Sequence, residues 1–356
     1  MKKFLAVFGF NLAFLIILLI ALEIWVGADY RKRFPDVDRP IQVLYPPNPI
    51  NGFEDPGFSC EIPPDEFRIL CLGASTSKWA NYPAFIAWAF QGLPWMQEKK
   101  LKVKAYSTGF EAHTSLDSYY KYKYLYEGYD FDLIVVYHGI NELRANNCPP
   151  EMFQDDYSHF SYYSILNRVV RLMDIPVLNR SFLAFKVVLK WGEFIRKRIE
   201  KLNPQSFVPT HEPLQGWLEY GKDVRSADVF RGNLENILEL AKERSQLVLL
   251  MTFAYVIPEG YSQESFKAGA LGYGCEMDIG VPVELYGRSE NVRKGLEIHN
   301  GVMLDMAEEY ECYFVDQAEL MDENLDYFID VCHFSREGIT HFAVNIARYF
   351  LGREIR

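Results

Sequence analysis

The sequence predicts an α/β fold with a parallel sheet, and two observations carry that expectation. Brief apolar or β-branched runs at residues 67–73, 101–107, 132–139, 246–253 and 313–316 have the length and composition of strands buried on both faces. Amphipathic stretches at 79–90, 115–126, 227–244, 291–310 and 335–351 lie between or after them, with apolar residues at three- and four-residue spacing, as in Leu234, Ile237, Leu238 and Ala241. Such alternation puts crossover helices on both faces of a parallel sheet. The chain has 356 residues, 49% of them hydrophobic and 24% charged, which is the composition of a folded protein with a sizeable core. A formal net charge of -11 repels a phosphate backbone, so nucleic acid is not an expected partner.

Ahead of the sheet, Lys2 and Lys3 precede a run from Phe4 to Leu22 whose one strongly polar interruption is Asn11. These 19 residues exceed a cleavable signal core and suffice to cross about 30 Å of hydrocarbon, so residues 1–28 are expected to form a retained transmembrane signal anchor. Cleavage after Ala28 is the competing reading. Lys2 and Lys3 on one side face Arg31, Lys32 and Arg33 on the other, which leaves orientation open, with the body expected outside the cytoplasm. Residues 29–64 contain Pro35, Pro40, Pro46, Pro47, Pro49 and Pro56 and are expected to form an extended stalk.

Residues 65–356 make up the expected α/β domain, with a helical insertion at about 144–225 between the third and fourth strands. The insertion carries helix-like stretches at 162–173 and 182–202. Its basic tract, Lys190, Arg196, Lys197, Arg198 and Lys201, is expected to be a solvated face, with a membrane surface as the alternative. Six cysteines lack close pairing, so no structural metal is expected. Cys71 and Cys312 read as buried thiols, whereas Cys60, Cys148 and Cys275 lie in loop-like stretches where pairing is open to an exported domain.

In parallel sheets ligands collect outside the carboxyl ends of the strands. The first strand runs into Gly73-Ala74-Ser75-Thr76, placing the Ser75 hydroxyl at a tight turn where the next helix presents free N–H groups. The second ends near Gly109, where a missing side chain lets a backbone N–H approach a reacting oxygen. The third ends in His138-Gly139-Ile140-Asn141-Glu142, and the Asn141 amide offers a further donor. Ser75 N–H, Gly109 N–H and Asn141 together make a candidate oxyanion hole, in which each aimed donor lowers an acyl-transfer barrier by about 3 kcal/mol. Serine needs a base, and Asp330-Val331-Cys332-His333 supplies one: Asp330 orients His333, whose other ring nitrogen reaches Ser75.

These blocks resemble those of the SGNH hydrolases, also called GDSL esterases and lipases, over a span from about Phe67 to the carboxyl terminus. The resemblance implies a flavodoxin-like three-layer α/β/α sandwich with a five-stranded parallel sheet. It also implies a nucleophile, oxyanion donors and base at Ser75, Gly109, Asn141, Asp330 and His333, with no cofactor. Two positions depart from the family pattern, Ala74 where Asp is common and Glu142 where Gly-x-Asn-Asp would have Asp. Neither removes a catalytic atom. Any one block alone is a weak signal, since Ser and Thr commonly cap helices and Gly-x-Asn is commonly a turn; the force lies in their conjunction and order.

The expected activity is hydrolysis of carboxylic esters, acyl or acetyl esters of a glycan or lipid, through an acyl-enzyme. Acyl transfer to a sugar or lipid hydroxyl by the same triad, and a non-catalytic envelope scaffold, are the alternatives. His138 is a candidate pocket residue or a satisfied histidine beneath the site, and Arg144 is a candidate for an anionic substrate group or a structural ion pair. Asp155, Asp156 and His159 imitate metal spacing without a further ligand cluster, so no metal is expected. Tyr120, Tyr122, Tyr124 and Tyr126 alternate as in a strand, yet a crossover requires a helix there, and packing is favoured over a sugar platform. Residues 255–288 are the expected substrate-shaping loop, long enough for a lid.

Overall fold

A computed structural model describes residues 2–33, 39–44, 58–78, 82–161, 163–209, 213–273, 280–353 and 355. Along the chain come α1 (Lys2–Arg33), α2 (Ile41–Leu44), β1 (Glu66–Gly73), α3 (Ser75–Lys78), α4 (Tyr82–Gln91), α5 (Pro94–Lys99), β2 (Lys102–Ser107), α6 (Ser115–Tyr124) and β3 (Leu133–Tyr137). Next are α7 (Ile140–Leu143), α8 (Tyr163–Leu172), α9 (Pro176–Arg180), α10 (Phe182–Leu202), α11 (Ser226–Glu243) and β4 (Leu247–Met251). The series closes with α12 (Gln263–Lys267), α13 (Ser289–Glu309), β5 (Tyr313–Val315), α14 (Gln317–Leu320) and α15 (Arg336–Phe350).

Two compact units emerge, one of residues 48–161 and 207–356, the other of residues 1–47 and 162–206. In the larger unit all five strands are parallel in the order β2-β1-β3-β4-β5. This is the expected flavodoxin-like arrangement, and its order reverses at β1, so the carboxyl ends of β1 and β3 flank the crevice where ligands bind in such sheets. Helices α4 and α15 pack together on one side of the sheet, while α11 packs between α6 and α13 on the other.

Side-chain alternation explains the layers. Ile69, Cys71, Leu133, Val135, Leu249, Met251 and Val315 join one core with Tyr82, Ile86, Phe90, Phe342, Ile346 and Phe350. Every residue of β1 is buried, as a strand covered on both faces requires. Fully burying an aliphatic side chain of this kind contributes about 1.5–3 kcal/mol, so these central strands form a stiff platform for the residues that follow them.

In the smaller unit, α1 contains a 24-residue stretch, Phe10–Arg33, long and apolar enough to cross a membrane. Val26 and Phe182 form a small core with Tyr30, Val43 and Leu183. Ser181 caps α10 by accepting the Ala184 N–H, and Glu23 accepts the Ser181 hydroxyl at 2.6 Å and the N–H groups of Phe182 and Leu183 at 2.8 and 3.1 Å. One carboxylate of α1 thereby satisfies donors that a helix start otherwise leaves open.

Two expected boundaries change. The helix begun in the apolar run continues through Arg33, and Ile41–Leu44 is helical, so the 29–64 segment is not uniformly extended; residues 34–38 and 45–57 lie outside the described ones. Local helix propagation, with no proline before Pro35, wins there over the proline-rich composition. Residues 162–206 of the insertion group with the amino terminus, so residues 65–356 are not one compact unit. Strand and helix positions otherwise match within a few residues, although Trp79 lies outside the described ones.

Candidate active site

Ser75 opens α3 directly beyond β1, and its Oγ lies 2.9 Å from His333 Nε2, across 258 positions of sequence. His333 Nδ1 stands 2.8 Å from Asp330 Oδ2. The Asp330 carboxylate, fully buried, also accepts N–H bonds from Cys332 and His333 on Oδ1 and from Val281 on Oδ2, at 2.9, 2.8 and 2.9 Å. Serine, imidazole and carboxylate thus form a continuous relay in the crevice beside β1.

The loop bearing this relay is tied at its neck. Ile329 donates to His333 O, and Ser335 donates its N–H to Tyr327 O and its hydroxyl to Asp326 O while capping α15 by accepting the Gly338 N–H. A Cβ on Gly338 would lie 1.9 Å from Tyr327 O, so only glycine lets the helix start this close to the loop. Gly338→Ala is expected to destabilise the larger unit by about 2–3 kcal/mol through overpacking against backbone. A lowered Tm together with a reduced kcat, measured on the full chain, checks this; an unchanged Tm contradicts it.

On the other side of Ser75, Asn141 sits in the first turn of α7 and gives one amide hydrogen to His113 O at 2.8 Å, which leaves its second donor. Ser75 N–H is among the first-turn donors that a short helix leaves unsatisfied. Gly109 is placed by close approach, since a Cβ there would lie 2.7 Å from Ala74 O and 2.9 Å from Lys78 N. Its own N–H, however, is given to Ser107 Oγ at 2.9 Å. Lys121 donates to Thr108 O at 2.6 Å and so fixes the chain just before this glycine.

A narrow cavity with no free room for a water molecule is lined by Ser75, Thr76, His138, Gly139, Asn141 and Phe253. His138 both lines it and is a satisfied buried histidine, with Nε2 2.8 Å from Ser118 Oγ. Burial, then the nearby Lys121 charge, pushes its pKa down to about 3, so it stays neutral. Arg144 is buried with its guanidinium 5.8 Å from the Phe160 ring centre, and it is not part of the cavity lining.

Burial alone would lower the His333 pKa, but the adjacent Cys332 sulfur and the Asp330 carboxylate hold it well above the ordinary histidine value. For Asp330 burial works upward, and His333 with the surrounding N–H donors keeps the carboxyl net below its usual value. Ligating atoms of Asp330, Cys332 and His333 lie within 4.8 Å of one another, a spacing that suits a metal. Here the carboxylate and His333 Nδ1 are spent on each other, and burial raises the Cys332 thiol, which disfavours the thiolate a metal needs. His159 likewise has both nitrogens committed, Nδ1 to the Gln154 N–H and Nε2 to Ala145 O, and so offers no ligand lone pair beside Asp155 and Asp156.

Glu142 does not face the reaction. Its Oε1 accepts the Ser115 N–H at 2.6 Å at the start of α6, and burial raises its pKa to about 7. A carboxyl raised in the fold binds more protons than in the unfolded chain between about pH 4.5 and 7, so stability falls as pH rises through that window. Glu142→Gln, which keeps an acceptor for Ser115, is expected to remove most of that slope, on the order of 3 kcal/mol. Urea midpoints at both ends of the window test it, and equal slopes in the two proteins contradict it.

Several contributors carried no side-chain signal in the sequence. Val281 serves through its backbone N–H, from the segment expected to be a lid; among described residues that segment packs Tyr261, Tyr273 and Val281 onto the core, and residues 274–279 lie outside them. His299 supports the β3 end, with Nδ1 2.8 Å from Gly139 O and Nε2 3.0 Å from Ser226 Oγ. Tyr120, Tyr122, Tyr124 and Tyr126 are all buried, and the first three lie on helix α6, so they pack and offer no exposed platform. Among the cysteines, Cys71, Cys148 and Cys332 are buried free thiols, Cys60 is exposed and free, Cys312 is half-buried, and Cys275 lies outside the described residues.

No protein-family model matches the chain, and no curated protein does. Among solved structures it is similar to an acetylxylan esterase from Geobacillus stearothermophilus, at 15% identity over 82% of this chain and 96% of that one, with a TM-score of 0.41. It is also similar to a GDSL-like lipase from Bacteroides thetaiotaomicron, at 13% identity over 79% of this chain and 86% of that one, with a TM-score of 0.39.

Proposed function

We propose that this chain is a serine ester hydrolase. Within that class it is best described as a membrane-anchored SGNH, or GDSL-type, esterase acting on acyl or acetyl esters of a glycan or lipid, with the larger unit outside the cytoplasm. The observation that carries the reading is the relay from Ser75 Oγ through His333 to Asp330, at 2.9 and 2.8 Å. Ser75 Oγ attacks the ester carbonyl as His333 Nε2 takes its proton, and the oxyanion forms against Ser75 N–H and Asn141. Gly109 is the weaker third donor, because Ser107 Oγ already holds its N–H. Collapse expels the alcohol with the proton from His333, and water then repeats the sequence on the acyl-enzyme.

The apolar helix α1 supports membrane anchoring. Labelling of the detergent-purified full chain by a fluorophosphonate probe tests the class of chemistry. Wild-type protein should label, and Ser75→Ala and His333→Ala variants should not. Equal labelling of all three, or none of a folded wild type, refutes the proposal.

A further inference from the structure

Helix α10 presents an apolar face to solvent: Trp191, Phe194 and Leu202 are 62%, 56% and 86% exposed, and Val187 and Ile195 are exposed beside them. At 3.6 residues per turn these five side chains fall within an arc of about 100°. Lys190, Lys197 and Lys201 border one edge of the arc, and Arg198 lies inside it with its guanidinium 6.0 Å from the Phe194 ring centre. An aqueous face would not gather large apolar groups so tightly, and a protein core would not line its edge with lysines.

The position of the helix narrows the choice of occupant. Glu23 follows directly on the apolar run of α1, and it is this carboxylate that accepts the hydrogen bonds at the start of α10. Phe182 and Phe185 pack on Tyr30, and Lys186 lies over the Trp25 and Tyr30 rings. These contacts fall in the first two turns of α10, and the later turns carry the exposed arc. The start of α10 is therefore held against the part of α1 that follows the Phe4–Leu22 apolar run, and its 21 residues reach roughly 31 Å from there.

We propose that α10 lies in the surface of an anionic bilayer, its Val187, Trp191, Phe194, Ile195 and Leu202 face among the acyl chains and its lysines at the headgroups. This assigns Lys190, Lys197, Arg198 and Lys201 of the basic tract to lipid rather than to solvent, and it rests on α1 spanning the membrane. An apolar face flanked by cations is the composition that binds an interface, while lysine stems reach from the apolar level to the phosphates.

The full chain in phosphatidylglycerol-containing vesicles, with bromine on the acyl chains as a contact quencher, provides the test. Alkaline carbonate extraction first reports whether α1 is inserted. The Trp191 signal, obtained as wild type minus Trp191→Phe, should be blue-shifted and should fall at least two-fold in brominated relative to plain vesicles. An inserted chain whose Trp191 emission is red-shifted and unquenched overturns the proposal in favour of a solvated face. Blue-shifted but unquenched emission overturns it in favour of a protein partner. Release by carbonate removes the anchoring reading itself.

Discussion

Ser75→Ala is expected to lower kcat for an activated ester by about 10⁶-fold, leaving a remnant of roughly 10³-fold over the uncatalysed rate. The size follows from geometry. Without Ser75 Oγ the His333 ring has nothing to deprotonate at 2.9 Å, and no acyl-enzyme can form. Donors at Asn141 and the Ser75 backbone persist, and they account for the remnant. Ser75 is buried in a short helix that alanine enters readily, so Tm should stay close to wild type. Single-turnover measurements with a chromogenic acetyl ester give the readout; a loss below ten-fold would mean that the nucleophile lies elsewhere.

Asp330→Asn is expected to cost about 10⁴-fold in kcat. The carboxylate accepts four hydrogen bonds, two on each oxygen. An amide cannot accept on its nitrogen, so either orientation of the substituted side chain sets an NH₂ group against two N–H donors. If the NH₂ faces His333, the ring must turn Nδ1 into an acceptor, and its proton then sits on Nε2, aimed at Ser75. The base is lost without moving an atom by much. The pH profile changes too: His333 must be neutral to act, and Asp330 helps hold its pKa above the ordinary value, so wild-type activity should rise with pH through that raised pKa. Removing the carboxylate takes away a group that raises the His333 pKa against burial, and the acid limb of the residual activity should move to lower pH. A limb that stays in place would show that Asp330 does not set the basicity of His333.

The sheet was legible because parallel strands buried on both faces spell themselves as apolar runs, as 67–73 and 132–139 do. The candidate site was legible for a related reason: Ser75 and Asn141 directly follow such runs, and Asp330 and His333 sit three apart just before a capped helix. What sequence withheld was backbone chemistry. Nothing about valine announces that the Val281 N–H is aimed at a carboxylate 49 positions away. The engagement of Gly109 N–H by Ser107 Oγ was hidden in the same way, since it depends on a rotamer and not on a residue type. Grouping of residues 162–206 with the amino terminus escaped because it depends on long-range contacts, such as Glu23 to the start of α10 and Phe182 on Val26 and Tyr30, which have no period to detect.

The tie from Val281 to Asp330 bears on any attempt to alter the substrate range proposed for this protein. The segment after β4 is the expected substrate-shaping loop, yet its Val281 N–H also donates to the carboxylate that meets His333 Nδ1. A graft that pulls residue 281 away by even an ångström would strip one donor from the carboxylate and shift its acidity, with His333 following. Under the proposed mechanism one peptide group thus links that segment to the base, and libraries that hold residues 280–282 fixed should yield more active variants than those that randomise them.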